Sequence, residues 1–459
     1  MTPSDGSSAR AIWPELAWPE LAWPEPAWPE TVGPATGGAG PKLPKNPSPN
    51  GVVLQRKNVR LCHDKALFPT SSSGFSWSGP LAVPLIQQLR VGAYIMKQRL
   101  RRNDRYPLVL MLEPLFRCNL ACPGCGKIDY PEDILDRRLS VAECIEAVEE
   151  SGAPIVSIPG GEPLIHKEMP QIVEELVKRK RFVYLCTNAL LLAKKIDDYK
   201  PSKYLTFSIH LDGLEEEHDR AVDQKGVFKR AVKAIELARD RGFRVNVNCT
   251  LFNNAKPEEV AKYLDFARDL GVEGVTISPG YAYERAPDQE HFLSRRGTKE
   301  LFRDVFRRGK GRKWRFSQSS LFLDFLAGNQ TYECTPWSNP TRNVFGWQRP
   351  CYLVNEGYAP TFKALMEETI WEQYGTGNYE KCANCMVHCG YEGTAVADTV
   401  AHPLKALKVA LQGVVTEGEM APELDFSKQR PAEYTFEEFV AEAQKQPAKP
   451  GASSSEAAE

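Results

Sequence analysis

From about residue 106 to residue 280 the chain alternates between two hydrophobic periods. Short apolar, β-branched runs appear at LVLMLE (108–113), PIVSI (154–158), FVYLCT (182–187), KYLTFSIHL (203–211), FRVNVNCTLF (243–252) and EGVTISP (273–279). They are too short for helices and rich in residues that favour pleated strands. Between them, SVAECIEAVEES, KEMPQIVEELVKRK, VFKRAVKAIELARDRG and PEEVAKYLDFARDLG place apolar residues three and four apart, the period of a helix with one buried face. Repeated strand-helix units make a parallel sheet with helical crossovers. Six such units predict an α/β fold, a partial (β/α)6 barrel of TIM type. Barrel chemistry sits at the C-terminal ends of the strands.

The flanks read differently. Residues 81–105 predict a basic amphipathic helix, with Leu85, Leu89, Met96 and Leu100 near helical spacing beside Arg90, Lys97, Arg99, Arg101 and Arg102. Such a helix packs on its own domain or lies on an anionic membrane surface. Residues 1–80 repeat Trp-Pro-Glu units and continue into Pro- and Gly-rich sequence that sustains neither helix nor sheet; they predict a disordered extension, or an over-extended reading frame whose start lies near Leu81. Residues 281–415 form an irregular, aromatic, cysteine-containing C-terminal extension, and 416–459 a helix and a disordered tail. The chain's 58 Lys and Arg against 59 Asp and Glu leave a formal net charge of -1 over 459 residues, which points away from nucleic acid as a partner. No apolar run approaches the roughly 20 residues that span a bilayer, and no signal peptide is evident, so the expected compartment is the cytosol.

A reducing compartment changes the meaning of the 12 cysteines, because clustered thiols there are metal ligands or redox groups more often than disulfides. Cys118, Cys122 and Cys125 share the loop that follows the first strand. Structural zinc wants four closed ligands, and none follows at finger spacing. Three thiolates instead suit three irons of a 4Fe-4S cube and leave the fourth iron open for a substrate or cofactor. A second set, Cys382, Cys385 and Cys389, lies in the extension, with Cys351 and Cys334 upstream and His388 adjacent. An auxiliary iron-sulfur cluster and a structural zinc site both fit it.

The cysteine loop resembles the CxxxCxxC signature of the radical S-adenosylmethionine (SAM) superfamily, and IPGGEP after the second strand resembles that family's GGEP motif. The resemblance implies that Gly160, Gly161, Glu162 and Pro163 hold the amino group of the methionine moiety. Ser208, His210 and Asp212 in SIHLDG alternate onto one face, as in the family's ribose-contacting strand. Asn248, with Asn246 and Thr250, repeats that polar face on the next strand. The family's aromatic residue before the third cysteine, which contacts adenine, is replaced here by Gly124.

From Val83 to about Gly413 the chain further resembles the adenosylhopane synthase family of hopanoid-biosynthesis radical SAM proteins. That resemblance implies reductive cleavage of SAM, addition of the 5'-deoxyadenosyl radical to the alkene of diploptene, and a one-electron donor such as flavodoxin or ferredoxin. A lipid substrate would give the basic helix a reason to sit peripherally on the inner face of the cytoplasmic membrane. It would also give Tyr281, Tyr283, Trp337, Phe345 and Trp347 an apolar cavity to line. Cys186, at the end of the third strand, is the expected hydrogen-atom donor that completes the product, with Cys249 as rival. Two alternatives stand beside this reading, a radical SAM enzyme acting on a peptide or another substrate, and a non-catalytic iron-sulfur or zinc binding module.

Overall fold

The computed structural model describes residues 83–126, 129–283 and 286–432. The Trp-Pro-Glu repeat, Cys62, Leu81 and residues 433–459 lie outside the described residues. Strands β1 (Val109–Glu113), β2 (Ile155–Ile158), β3 (Phe182–Thr187), β4 (Leu205–His210), β5 (Arg244–Leu251) and β6 (Val275–Pro279) lie side by side in sequence order, all parallel. This is the partial barrel that the two periods predict.

Helices α1 (Leu85–Leu100), α2 (Val141–Ser151), α3 (Met169–Lys178), α4 (Val227–Asp240) and α5 (Pro257–Asp269) precede or connect the strands. Their ends follow local chemistry. Ser140 and Glu143 form a reciprocal capping box on α2, and Gly152 ends it at φ 64°, where a side chain would be strained. Strand alternation then sorts the residues. Val183 and Leu185 are buried in the layer between sheet and helices, whereas Tyr184 and Cys186 are half-buried on the lumen face.

Helix α1 departs from its expected packing. Leu85, Leu89, Met96 and Leu100 are 51%, 63%, 49% and 81% exposed, and the residues it buries are Gln87 and Ile95. The Gln87 side-chain amide donates to the Tyr184 hydroxyl at 2.9 Å, and Arg90 stands over the Tyr204 ring at 5.4 Å. Helix α1 thus stoppers the N-terminal end of the barrel.

Helix α6 (Arg295–Arg308) follows β6, and three short strands then extend the sheet beyond β1. Strand β7 (Thr341–Asn343) runs parallel to β1, and β8 (Gly346–Gln348) and β9 (Tyr358–Ala359) return antiparallel. Helices α7 (His388–Ala401) and α8 (Pro403–Gln412) complete the extension. Residues 416–432 contain no helix among the described residues; they lie along α6, with Lys299 paired to Glu423 at 2.6 Å and Arg303 donating to the Gly418 carbonyl at 2.7 Å.

Candidate active site

The loop after β1 and the turn after β2 are built as one unit. The Gly161 amide donates to the Leu115 carbonyl at 3.0 Å and the Glu162 amide to the Arg117 carbonyl at 2.9 Å. The approach is close enough that a Cβ on Gly161 would lie 2.2 Å from the Phe116 carbonyl oxygen and 2.3 Å from that of Arg117. Gly160, at φ 50°, makes the preceding bend. Two glycines are therefore required by the contact itself. Within the loop the Cys125 amide closes a turn on the Cys122 carbonyl at 3.0 Å, and Cys118 and Cys122 pack against Leu120, Val222 and Val227. Burial pushes the Cys118 thiol up to about 11, and burial followed by the neighbouring Cys125 and Cys118 thiols raises Cys122 further. Three thiolates here need a compensating positive charge.

Glu162 is fully buried. One carboxylate oxygen accepts from the Leu164 amide at 3.0 Å and the Thr187 hydroxyl at 2.8 Å, and the other from the Asn188 amide at 2.9 Å. Pro163 opens the short turn that this carboxylate caps. A carboxylate offers about four acceptor positions, so one remains for an incoming donor. Burial raises the group to about 7, with the hydrogen bonds opposing it. Asn188 ties this network to the loop, since its side-chain amide donates to Asn119 at 2.7 Å and stands 3.9 Å from the Cys118 sulfur.

The next strands supply the polar rim. Cys186 pairs in register with Ser208, and its sulfur is 3.5 Å from the Ser157 hydroxyl. His210 pairs in register with Asn248, and its Nε2 is 2.7 Å from Asp212, whose other oxygen accepts from the Thr250 amide at 2.7 Å. Burial disfavours the charged imidazole, yet Asp212 outweighs it and the His210 pKa is raised. Cys249 is buried in the helix-side core with Tyr263 of α5, so strand alternation turns it away from the lumen that Cys186 faces.

A cavity of about 430 Å³ opens beside the loop, lined by Gly126 and Tyr130, by Gly280 to Tyr283, and by residues of the extension including Leu353, Val354, Lys381 and Cys385. Of the expected aromatics, Tyr281 and Tyr283 line it. The other three are occupied elsewhere: Trp347 is buried and donates to Glu150, Trp337 packs on Trp371, and Phe345 on Phe116. Phe252, just past β5, answers the question raised by Gly124, because its ring edge lies 2.9 Å from where a Cβ of Gly124 would be. An aromatic ring thus reaches this place from the fifth strand.

Residues 112–296 match the Radical SAM superfamily. The barrel is a radical SAM domain. Residues 275–409 match a domain of unknown function, DUF3463. Similar curated proteins are GTP 3',8-cyclase 1 of Mycobacterium tuberculosis, 27% identical over 38% of this chain, and GTP 3',8-cyclase of Thermodesulfovibrio yellowstonii, 24% identical over 57% of it. The first alignment spans only 53% of the relative's own length, the second 85%. Streptococcus suis SuiB bound to S-adenosylmethionine shares the fold, with a TM-score of 0.51 at 16% identity over 63% of this chain and 73% of that one. The radical SAM domain uses a 4Fe-4S cluster and S-adenosylmethionine. The donor set fits both: three clustered thiols for iron, and beside them a buried carboxylate with one acceptor position open.

Proposed function

We propose that this radical SAM enzyme adds the 5'-deoxyadenosyl group to the alkene of diploptene, giving adenosylhopane. The observation that carries the reading is the character of the cavity. Its described lining holds one acid, Glu380, and one base, Lys381, with the neutral polar Gln289, Ser294, Asn355 and Asn384, among tyrosines, Phe292, Leu293, Leu353 and Val354. The aromatic and aliphatic part of this wall suits a hydrocarbon. The similarity to GTP 3',8-cyclases supports a second reading, cyclisation of GTP, but a triphosphate calls for several cations, and the described lining offers one.

Cys118, Cys122 and Cys125 would hold the cluster, and Glu162 would take the methionine ammonium in its open acceptor position. Ser208, His210, Asp212 and Asn248 would face the ribose, and Phe252 would supply the aromatic contact to adenine. When bound, the cluster and SAM supply one-electron reductive cleavage and the carbon radical that adds to the alkene. The resulting triterpene radical takes a hydrogen atom from Cys186, whose half-buried thiol lies on the lumen face. One electron from a flavodoxin- or ferredoxin-type donor and one proton then return the sulfur to thiol.

The exposed leucines of α1 have a counterpart on α8, where Leu404, Leu407 and Leu411 are 81%, 52% and 77% exposed beside Lys405 and Lys408. The Arg99 guanidinium donates to the Ala397 carbonyl of α7, linking the two regions. Both faces suit an anionic bilayer surface. No helix among the described residues is long and apolar enough to cross a membrane. Because α1 covers the end of the barrel opposite the cysteine loop, docking would keep the enzyme beside its lipid without pressing the mouth onto the bilayer.

The test is anaerobic reconstitution with SAM and a reductant, offering diploptene and GTP separately and weighing the products. An adenosylated C30 product supports the proposal. Turnover of GTP with diploptene untouched refutes it.

A further inference from the structure

Parallel pairing sorts the lumen side chains of the barrel into rows. Ser157, Tyr184, Thr206 and Arg244 are successive partners in register across β2 to β5, and Cys186, Ser208 and Asn246 form the row above them. TIM-type barrels fill such rows with bulky branched residues, chiefly Val, Ile and Leu. Here the neighbouring apolar residues Val156, Leu185, Phe207 and Val245 lie in the helix-side core, and every member of the two lumen rows carries a polar group or a thiol.

Two atoms of these rows have no partner among the described residues. They are Thr206 Oγ1 and Asn246 Oδ1, on side chains 1% and 3% exposed. Buried oxygens of this kind are satisfied by ordered water, provided that further polar groups are in reach to hold it. The hydroxyls and amides of the same rows supply them.

The rows also connect Cys186 to the far end of the barrel. The Ser157 hydroxyl is 3.5 Å from the Cys186 sulfur, and Ser208 stands beside that sulfur in register. At the bottom, the Tyr184 hydroxyl accepts from the Gln87 amide nitrogen at 2.9 Å and donates to the Gln87 amide oxygen at 3.2 Å. Arg244, in the row of Tyr184, pairs with Glu273 at 2.7 Å, and the Glu273 side chain is 37% exposed. The stopper is thus closed to molecules, while its polar groups run from the lumen to a charged pair at the surface.

We propose that these two rows hold ordered water and form a proton path that recharges Cys186 from the N-terminal end of the barrel. The inference rests on the proposed role of Cys186 as hydrogen-atom donor. In that role the S–H bond breaks as the new C–H bond forms, leaving a sulfur radical. One electron from the flavodoxin- or ferredoxin-type donor converts it to thiolate, and one proton completes the thiol. The adduct still fills the mouth at that moment, so the proton comes from below. It passes from solvent at Glu273 and Arg244 to the Tyr184 hydroxyl, through water held at Thr206 and Asn246, and by Ser157 or Ser208 to the sulfur. These residues act through Cys186 and position the path; none of them touches the triterpene.

The test uses the reconstituted enzyme with SAM bound and no reductant, so that the strand ends are filled and no chemistry runs. After a jump into deuterium oxide, exchange of the Cys186 thiol is followed by the loss of its S–H stretch in the infrared, identified by difference against Cys186→Ser. The double variant Thr206→Val/Asn246→Leu removes both water seats at nearly constant volume and should slow exchange about tenfold, the effect of one lost hydrogen-bonded link on the barrier. Thr206→Ser, which keeps the hydroxyl, should exchange like the parent. So should Thr341→Val, which removes another buried hydroxyl without a partner among the described residues, on β7 opposite Met111. In turnover, the double variant should give its first adenosylated product at the parent rate, using the proton already on the sulfur, and slow only the cycles that follow. If the double variant fails to fold, Tyr184→Phe removes the inlet hydroxyl alone and carries the same expectation. Unchanged exchange overturns the inference, as does equal slowing by Thr341→Val. So does slowing by Glu113→Gln in place of the lumen variants, since Glu113 is the buried carboxyl on β1. Slowed exchange in an enzyme that leaves diploptene untouched upholds the path and refutes only the proposed reaction.

Discussion

Gly161→Ala isolates what the contact between the cysteine loop and the Gly-Gly-Glu-Pro turn contributes. The added methyl would meet two backbone oxygens at 2.2 and 2.3 Å, and neither can rotate aside as a side chain can. Restoring ordinary contact requires the two segments to part by about 1 Å. That movement weakens the bonds at 3.0 and 2.9 Å, each of net worth about 1 kcal/mol, and adds overpacking strain of roughly 1–3 kcal/mol. The sum, about 3–5 kcal/mol, falls on a loop rather than on the sheet, so the melting temperature should drop by no more than about 10 °C. Chemistry should suffer more, since the same 1 Å shifts the thiols relative to Glu162 and Asn188, and misplacement on that scale costs about a hundredfold. The assay is 5'-deoxyadenosine formation at saturating SAM, with circular dichroism to verify folding. Gly92→Ala in α1, where nothing lies within 4 Å, is the control and should leave the rate unchanged. A Gly161→Ala enzyme within about twofold of the parent rate would refute the reasoning.

Further outcomes follow from single residues. With its carboxyl raised to about 7, Glu162 is increasingly protonated below that pH, so SAM affinity should fall about tenfold per unit there; isothermal titration of Glu162→Gln should show weaker, pH-independent binding. The sign for the empty protein is opposite: a raised carboxyl pKa favours the fold at low pH, and that contribution is lost as pH rises from about 4.5 through about 7, which a pH series of melting curves checks. Cys186→Ser should preserve SAM cleavage and adduct formation while lowering the yield of saturated product, read by mass spectrometry; an unchanged yield removes Cys186 from the mechanism. Co-sedimentation with anionic vesicles should weaken with salt, and Leu404→Ser should reduce it by roughly tenfold, whereas equal recovery with neutral vesicles would count against membrane docking.

The barrel was legible in the sequence because parallel strands buried on both faces must be apolar runs, and FVYLCT spans the same residues as β3. The cysteine loop and the Gly-Gly-Glu-Pro turn were legible as motifs, but not their mutual backbone bonding, which joins residues some 45 positions apart. Strands β7 to β9 left no trace, since segments of three, three and two residues are held by pairing with β1 and each other rather than by any periodicity. Helix α1 shows the limit of pattern reading. Its apolar residues were visible, yet beside Ile95 the side chain it buries is Gln87, because a tyrosine hydroxyl inside the barrel needed a partner. Thr187 and Asn188 were missed as ligands of Glu162 for the same reason: a buried carboxylate recruits donors from whichever strand end is near. Phe252 could be found only in space, as the ring standing where Gly124 leaves room.

The stopper made by Gln87 and Tyr184 has a kinetic meaning. A lumen closed at its N-terminal end is entered from the strand-end mouth, and the doorway described there is the cavity between the cysteine loop and the extension. Under the proposed reaction, SAM occupies the strand ends and the triterpene the cavity in front of them. Arrival must then be sequential, nucleoside first and hydrocarbon second, and methionine must wait behind the adduct before it can leave. Initial-rate patterns would show a compulsory order. Excess triterpene would inhibit by closing the doorway on an empty enzyme.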